Sequence, residues 1–205
     1  MRSLAKRNPS VPLLLNKPLI LASGSPRRRE LLAQLEIPFE VVTSHVPEKS
    51  ESESHGLSPS EFCWWNSVKK GFTVQKLHPQ RLILAADTVV ALDTTLLGKP
   101  KNIIEASQFL EKLSGRSHEV WTAVQIYIPS KGWNGFVEKT TVTFQDLSPQ
   151  RIQEYLQKVP VLDKAGGYAL QDHPHLIVQS VQGSHSNVIG LPLERLKSFL
   201  AEVRA

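Results

Sequence analysis

The sequence contains little cysteine and no long apolar segment. Cys63 is the only cysteine among 205 residues, which excludes an intramolecular disulfide and a metal site built from several thiolates. Its neighbours Trp64 and Trp65 favour a buried thiol over a nucleophile. No apolar run approaches the roughly 20 residues of a membrane span. Basic residues are scattered although the net charge is +5, which favours a small anionic ligand over nucleic acid or a membrane.

Three familiar motifs of nucleotide and acyl chemistry are also missing. The sequence has no GxxxxGKS/T phosphate loop, no GxGxxG dinucleotide fingerprint and no GxSxG nucleophile elbow. The missing phosphate loop excludes a P-loop enzyme. The seven histidines lack the spacing of zinc ligands, and His173 and His175 are interpreted as part of a polar loop.

The organisation along the chain predicts one domain over residues 18–205, preceded by a loose N-terminal extension at 1–17. The extension combines a basic start with an apolar run at 11–15 and resembles a poor signal peptide. The run is broken at 16–18, and cleavage near Ala22 would cut into the proposed site. We therefore expect a cytoplasmic protein.

Strands and helices are mixed throughout, which predicts an α/β fold. Residues 44–57 are expected to form a mobile loop and residues 183–187 a polar turn. The pattern predicts strands near 19–22, 39–43, 82–86, 89–92, 96–97, 120–128, 137–144 and 176–181, and helices beginning near 26, 59, 102, 149 and 192. On the helix from 59 to about 78, Phe62, Trp65 and Phe72 are expected to share one face.

The stretch at 19–32 predicts a buried strand, a tight turn and a helix start. Ser25 suits the N-cap and Pro26 the first helical position. With Ser23 and free backbone N–H groups, this helix start favours anions. Arg27 and Arg28 lie in the first turn, against the helix dipole, so they indicate either a bound polyanion or a solvated basic turn.

An aspartate follows the apolar run at 82–86. A carboxylate at the end of a buried strand is costly without a partner, so Asp87 is a candidate for metal or acid–base chemistry, with a cap or turn role as the alternative. Lys99 precedes a proline, which restricts its backbone. A lysine fixed close to the strand that carries Asp87 suits phosphate neutralisation, with a solvated surface lysine as the alternative.

The segment DKAGGYALQ at 163–171 combines charge, flexible glycines and an amide. The glycines permit close backbone approach, and Gln171 can pair with an amide–imide edge through its donor and acceptor. An ordinary glycine turn is the alternative interpretation.

Cationic and hydroxyl groups thus occur together with carboxylates. Arginine and lysine neutralise charge that develops on phosphates. Carboxylates such as Glu48 and Asp87 hold Mg²⁺ or Mn²⁺, and one of them can accept a proton from an attacking water. This combination is typical of polyphosphate hydrolysis.

Several blocks in order resemble the Maf family of nucleoside triphosphate pyrophosphatases over roughly residues 18–200. They are LASGSPRRRELL (21–32), AADTVVALD (85–93), LGKP (97–100), EASQFLEKLSGRSHEVWTAV (105–124), DKAGGYALQ (163–171) and GSHSNVIGLPL (183–193). The resemblance implies a mixed, twisted sheet with flanking helices and two lobes around a cleft, as in inosine triphosphatases. It implies cleavage between the α- and β-phosphates, with a divalent metal, in an enzyme that keeps non-standard nucleotides from misincorporation. The family is often dimeric, so a homodimer is expected.

The resemblance also assigns roles to individual residues. Asp87 matches the proton acceptor, and Glu48 a metal-binding acid. The residues that match substrate-binding positions are Ser23, Ser25, Arg27, Arg28, Lys70 (with Lys69 as its rival), Thr88, Lys99 and Gln171; of these, Arg27, Thr88 and Gln171 fall at the family's specificity positions. The DKAG block resembles that of the branch acting on dTTP and UTP.

The sequence departs from the family pattern at two places. His45 and Pro47 stand where acids usually precede Glu48, and Pro160 stands where a glutamate is usual. Gly71 in place of alanine is expected to be a minor change. Two alternatives therefore remain at this stage: a pyrophosphatase for 7-methyl-GTP or another modified nucleotide, and a nucleotide-binding or division-associated module with weakened catalysis.

Overall fold

A computed structural model describes residues 17–44, 54 and 56–204. The strands are β1 (Leu19–Leu21), β2 (Phe39–Val41), β3 (Ile83–Leu92), β4 (Thr95–Leu97), β5 (Ser117–Ile128), β6 (Gly132–Phe144) and β7 (Val178–Gln182). The helices are α1 (Pro26–Ala33), α2 (Pro59–Leu77), α3 (Ile103–Leu113), α4 (Pro149–Lys158), α5 (His185–Ile189) and α6 (Leu193–Arg204). Residues 1–16, 45–53, 55 and 205 lie outside this description, and they include all but residue 17 of the predicted extension and most of the predicted mobile loop. No helix in the described part is long and apolar enough to cross a membrane.

All seven strands form one mixed sheet, in the order β2-β1-β3-β5-β6-β7, with β4 paired to β3. Strand β1 runs parallel to both β2 and β3, whereas β3, β5, β6 and β7 form antiparallel neighbours and β4 closes a hairpin on β3. The α/β fold with a mixed sheet and flanking helices is confirmed.

The side chains of β3 alternate between the two faces of the sheet. Ile83, Ala85 and Val89 pack with α2. On the opposite face, Leu84 and Ala86 pack with α1 and α6, and further along the strand Val90 and Leu92 pack with α3 and α4. The second face is therefore covered by two separate groups of helices. The part of β3 between Ala86 and Val90 lies between the two groups.

Strand β3 also lacks a continuous neighbour on one edge. It pairs with β1 at 83–84 and with β4 at 90–92, so residues 85–89 have no strand partner on that edge within the described ranges. On its other edge β3 pairs with β5 without interruption from Ile83 to Ala91. This gap leaves one edge of the middle of a central strand without a strand partner.

The predicted strand end at Asp87 is wrong. The apolar run does end there, but the strand continues through Asp87 and Thr88 to Leu92 because β5 supplies ladder partners throughout. The predicted polar turn at 183–187 is also wrong. Ser184 caps α5 by accepting a hydrogen bond from the backbone N–H of Asn187 at 3.2 Å.

Two aromatic side chains of α2 lie elsewhere than predicted. Phe62 is buried, but Trp65 is 38% exposed and Phe72 is 47% exposed. Phe72 stacks on Trp133, with ring centroids 6.2 Å apart. A Cβ atom at Gly71 would lie 2.4 Å from the Trp133 ring, so this glycine makes room for the tryptophan and is more than the minor change expected.

A buried histidine lies beneath the second helix group. The His118 ring contacts Phe144 and Tyr168 edge-on, and its Nε2 lies 2.8 Å from the Tyr168 hydroxyl. Its Nδ1 is buried and has no hydrogen-bond partner among the described residues. Burial lowers the pKa of His118 from 6.5 to about 4, so the ring is neutral in the folded protein.

This histidine makes stability depend on pH. Its pKa is lower in the folded than in the unfolded state, so stability is complete above pH 6.5 and falls as the pH falls towards 4. From pH 7.5 to 5, we expect wild type to lose about 2 kcal/mol more unfolding free energy than His118→Gln, which cannot titrate. Urea denaturation at both pH values measures the difference, and parallel losses in the two proteins would contradict the prediction.

Candidate functional site

A cleft of about 570 Å³ lies beside Asp87, Thr88 and Val90 of β3. Its walls come from the β1–α1 turn, α2, the Gly98–Lys99 segment, residues 163–171 and the end of α5. Nine of the predicted site residues line it, namely Ser23, Ser25, Arg27, Arg28, Lys70, Asp87, Thr88, Lys99 and Gln171. Their roles remain predictions, and Glu48 lies outside the described residues.

Asp87 and Lys70 form a buried ion pair on the α2 side of the strand. Lys70 Nζ lies 2.6 Å from Asp87 Oδ1, and the two side chains are 10% and 7% exposed. The rival lysine, Lys69, lies over the Trp65 ring at 5.0 Å, whereas Lys70 lines the cleft. The low local dielectric strengthens the attraction between the two charges.

Arg28 is buried on the opposite side of the strand and bridges three elements. Its Nη1 donates to Ser23 Oγ at 3.2 Å, its Nη2 to Thr88 Oγ1 at 2.9 Å and its Nε to the Gly190 carbonyl at 2.8 Å. The planar guanidinium serves these acceptors at fixed angles, which lysine cannot reproduce. The arginine that the sequence assigned to a polyanion or to solvent is therefore anchored by the protein itself.

Arg27 spans the cleft mouth to the 163–171 segment. Its Nη1 lies 2.6 Å from Asp163 Oδ2, and Lys164 Nζ lies 2.8 Å from Asp163 Oδ1. Lys164 Nζ also donates to the Pro160 carbonyl. Partial burial alone would raise the pKa of Asp163, but hydrogen bonds from Lys164 and Arg27, together with their charges, hold that pKa below its ordinary value.

The start of α1 has the cap that the sequence predicts. Ser25 Oγ accepts from the Arg28 backbone N–H at 3.5 Å, and Pro26 occupies the first turn. Ser25 N–H donates to Ser23 Oγ at 3.3 Å. The first turn contains no acidic residue, so no carboxylate in that turn offsets the positive end of the helix dipole at the cleft.

The glycines at 166 and 167 bring the two far walls together. Gly166 has φ 71° and lies against Val90, where a Cβ atom would approach the valine to 3.0 Å. Its N–H donates to the Gly98 carbonyl at 2.9 Å. This contact joins the segment that carries Lys99 to the segment that carries Gln171.

Some cleft residues gave no signal in the sequence. Asp163, Lys164 and Asn66 all line the cleft, and Asn66 is a buried polar residue of α2, but the sequence alone gives none of them a specific role. Asn187 is fully buried and donates to the Val120 carbonyl at 3.1 Å and to Thr140 Oγ1 at 3.0 Å. Only its place beside Ser184 in a capping pattern hinted at an ordered segment.

The cleft suits a hard divalent cation only in combination with a ligand. No group of three or more His, Cys, Asp or Glu side chains that could hold a metal occurs within residues 17–44, 54 and 56–204. Mg²⁺ sites, however, often use one or two carboxylates and complete their shell with substrate phosphates and water. Asp87 supplies one such carboxylate, and its ion pair with Lys70 uses Oδ1.

Comparisons with known proteins agree on one family. The model of the family described as Maf-like protein matches residues 18–203. A dTTP/UTP pyrophosphatase of Akkermansia muciniphila is 44% identical over 183 residues, covering 89% of this chain and 95% of that protein. Another from Bacillus cytotoxicus is 42% identical over 180 residues, covering 88% of this chain and 92% of that protein.

Solved structures agree on the fold. The HAM1 protein from Coxiella burnetii matches with a TM-score of 0.53 at 16% identity, over 90% of this chain and 98% of that one. The Ham1 protein of Staphylococcus aureus matches with a TM-score of 0.52 at 14% identity, over 91% of this chain and 99% of that one.

Proposed function

The chain belongs to the Maf family, and from this premise we propose that it hydrolyses nucleoside triphosphates to a nucleoside monophosphate and pyrophosphate. The observation that carries the proposal is a cleft that combines several cations with one buried, ion-paired carboxylate, Asp87. Relatives that cover nearly the whole chain are named dTTP/UTP pyrophosphatases, which supports dTTP and UTP as the substrates.

The cations of the cleft suit a triphosphate. Arg27, Arg28, Lys70, Lys99 and Lys164 enter from different walls, and the N-terminus of α1 adds its positive dipole end. Charge that develops on the phosphates during bond cleavage is stabilised by donors already in place. Arg28 is held by Ser23, Thr88 and Gly190 and needs little rearrangement to act.

Asp87 is the proposed general base. It accepts a proton from the water that attacks the α-phosphorus, and the bond from this phosphorus to the oxygen bridging the α- and β-phosphates breaks. Lys70 donates to Oδ1, and Oδ2 is the proposed proton acceptor. Both groups sit on rigid elements, β3 and α2, which favours a fixed geometry.

A divalent cation, Mg²⁺ or Mn²⁺, is proposed as the cofactor. When bound, it would neutralise phosphate oxygens and polarise the attacking water. Asp87 would hold it together with substrate oxygens, and Glu48 remains a predicted ligand. Pro160, which replaces the usual glutamate, has an exposed ring, and its carbonyl serves Lys164.

Gln171 is the proposed reader of the base. It lines the cleft at the end of the 163–171 segment, and its amide offers a donor and an acceptor to an imide edge. Uracil and thymine present such an edge, whereas 7-methylguanine presents a different pattern of donors and acceptors.

Pyrophosphate release from dTTP, UTP, CTP, GTP and 7-methyl-GTP tests the proposal, with Mg²⁺ and with Mn²⁺. We expect turnover of dTTP and UTP that stops when EDTA removes the metal. A preference for 7-methyl-GTP would overturn the substrate assignment. Binding of nucleotides with no turnover under either metal would overturn the enzymatic function.

Asp163 competes with phosphate for Arg27 and Lys164. Asp163→Asn is expected to tighten binding of inorganic pyrophosphate about 1.5- to 5-fold, because exposed ion pairs contribute roughly 0.2–1 kcal/mol. Isothermal titration calorimetry with pyrophosphate measures the effect. Asp93→Asn is the matched control, since it removes an exposed ion pair with Arg116, also 2.6 Å long. Equal dissociation constants for Asp163→Asn and the control would contradict the prediction.

We also propose that the protein is cytoplasmic, as its sequence predicts, and that it is a homodimer, as the family resemblance implies. Sedimentation velocity of the purified protein tests the dimer, for which a single species of twice the 22.9 kDa chain mass is expected.

A further inference from the structure

A chain of hydroxyl groups connects Arg28 to the interior. Arg28 Nη2 donates to Thr88 Oγ1 at 2.9 Å, and Thr88 Oγ1 lies 2.9 Å from Thr122 Oγ1. Thr122 Oγ1 in turn lies 3.1 Å from the Asn187 carbonyl oxygen. The two threonines are direct cross-strand partners on β3 and β5, and Thr122 is fully buried.

The Asn187 end of this series of hydrogen bonds determines which hydroxyl donates at each step. A carbonyl oxygen can only accept, so Thr122 must donate to Asn187. In a continuing helix the backbone N–H of Leu191 would donate to the Asn187 carbonyl. Here it donates to the Ser186 carbonyl instead. Asn187 is fully buried, and a buried carbonyl left without a donor carries a desolvation penalty.

The direction is then transmitted to the cleft. Thr122 has given its single proton to Asn187, so Thr88 must donate to Thr122. Arg28 occupies one lone pair of Thr88. What remains on the Thr88 hydroxyl is a second lone pair, and Thr88 is half-buried and lines the cleft.

We propose that Thr122 is a positioning residue that makes Thr88 a hydrogen-bond acceptor towards the nucleotide. Thr88 then selects a donor group of the nucleoside, an imide N–H or a sugar hydroxyl. It disfavours a phosphate oxygen, which is itself an acceptor. This inference rests on the proposed function for the identity of the ligand, and it assigns to a fully buried residue an effect on selectivity.

Dissociation constants for UTP and two analogues test the proposal without any need for turnover. N3-methyl-UTP lacks the imide donor, and 2′,3′-dideoxy-UTP lacks the sugar hydroxyls. We expect wild type to bind at least one of them about 10-fold more weakly than UTP. Because Gln171 is also proposed to read the imide edge, the group that Thr88 accepts from is identified by the analogue whose discrimination shrinks in Thr122→Val. Equal affinity for all three ligands would overturn the proposal.

Thr122→Val removes the acceptor that orients Thr88 and keeps the shape of the side chain. The Thr88 proton is then available to the cleft, and the 10-fold discrimination is expected to shrink to less than 3-fold. Thr122→Ser restores the hydroxyl and should restore the discrimination. Should Thr122→Val not fold, Thr122→Ala provides a smaller variant that also lacks the hydroxyl.

Thr140→Val is the matched control. Thr140 is also fully buried, and its hydroxyl bonds Asn187 Nδ2 and the Ser184 carbonyl rather than Thr88. We expect it to lower the melting temperature and to keep the wild-type discrimination. Unchanged discrimination in folded Thr122→Val or Thr122→Ala, or an equal loss in Thr140→Val, would overturn the positioning role. An absence of pyrophosphate release by wild type would instead count against the proposed function and leave the ratio of dissociation constants to decide this inference.

Discussion

Asp87→Asn is expected to lower kcat for pyrophosphate release from dTTP by about 10²- to 10⁴-fold, the usual contribution of a general base. Asparagine has nearly the same shape, but its amide cannot take a proton from water. Since Asp87 is central in β3 and pairs with β5, the backbone ladder is retained. Steady-state kinetics with saturating metal measures the loss, and KM is expected to change much less than kcat.

The control for this substitution is Asp93→Asn. Asp93 lies in the hairpin turn after β3, has φ 53° and pairs with Arg116 at the surface; asparagine tolerates that backbone conformation. This variant should keep the wild-type kcat. A residual kcat in Asp87→Asn within 10-fold of wild type would assign the proton transfer to another group.

Lys70→Met is expected to cause the largest loss of stability, about 3–5 kcal/mol of unfolding free energy. Removing one partner of a buried ion pair leaves the other charge uncompensated, which typically costs that much. Asp87 is only 5% exposed, so its carboxylate stays largely buried after the ammonium group is removed. Urea denaturation at pH 7 measures the change. Lys69→Met is the control: Lys69 is half-buried and lies over the Trp65 ring, and its replacement should cost less than about 1 kcal/mol of unfolding free energy.

The double variant Lys70→Met/Asp87→Asn separates the ion pair from packing. With both charges removed, no uncompensated charge remains, and most of the loss caused by Lys70→Met is expected to be recovered. A double variant as unstable as Lys70→Met would show that the methionine fails to pack against its neighbours in α2 and β3. The double variant should remain inactive, because stability is regained without the base.

The sequence predicts helix starts well because their signals are local. Ser58 and Glu61 form a capping box, with hydrogen bonds in both directions, and Asn102 caps α3 by accepting from the Glu105 N–H at 2.9 Å. Each cap lies within a few residues of the chain, so its chemistry is readable without knowledge of the fold.

The path of β3 through Asp87 could not be predicted in this way. A polar pair after five apolar residues resembles a strand end, and only the long partner strand β5 keeps the backbone extended beyond it. Likewise, helical spacing grouped Phe72 with Phe62 on one face of α2, but the Phe72 ring stacks on Trp133 of β6. Tertiary partners decided both cases.

For the site, the sequence predicts the participating residue types and the structure supplies the partners. The basic first turn of α1 suggested a polyanion because two acceptors of Arg28, Thr88 and Gly190, are distant in the sequence. They lie on β3 and after α5. The Asp163 partner of Arg27 is 136 residues away. No local pattern links residues at such separations. The sequence blocks typical of the family do contain Arg27, Arg28, Asp163 and Gly190, but they do not show which of them pair.

The bond from Arg28 to the Gly190 carbonyl has a consequence for synthesis. Its two residues are 162 positions apart, and at roughly 5–20 residues per second the ribosome needs about 10–30 s to pass from one to the other. Throughout that interval the Arg28 side chain lacks its Gly190 acceptor. The cleft is therefore completed late in synthesis, and the N-terminal strand–helix unit emerges long before it can bind a nucleotide.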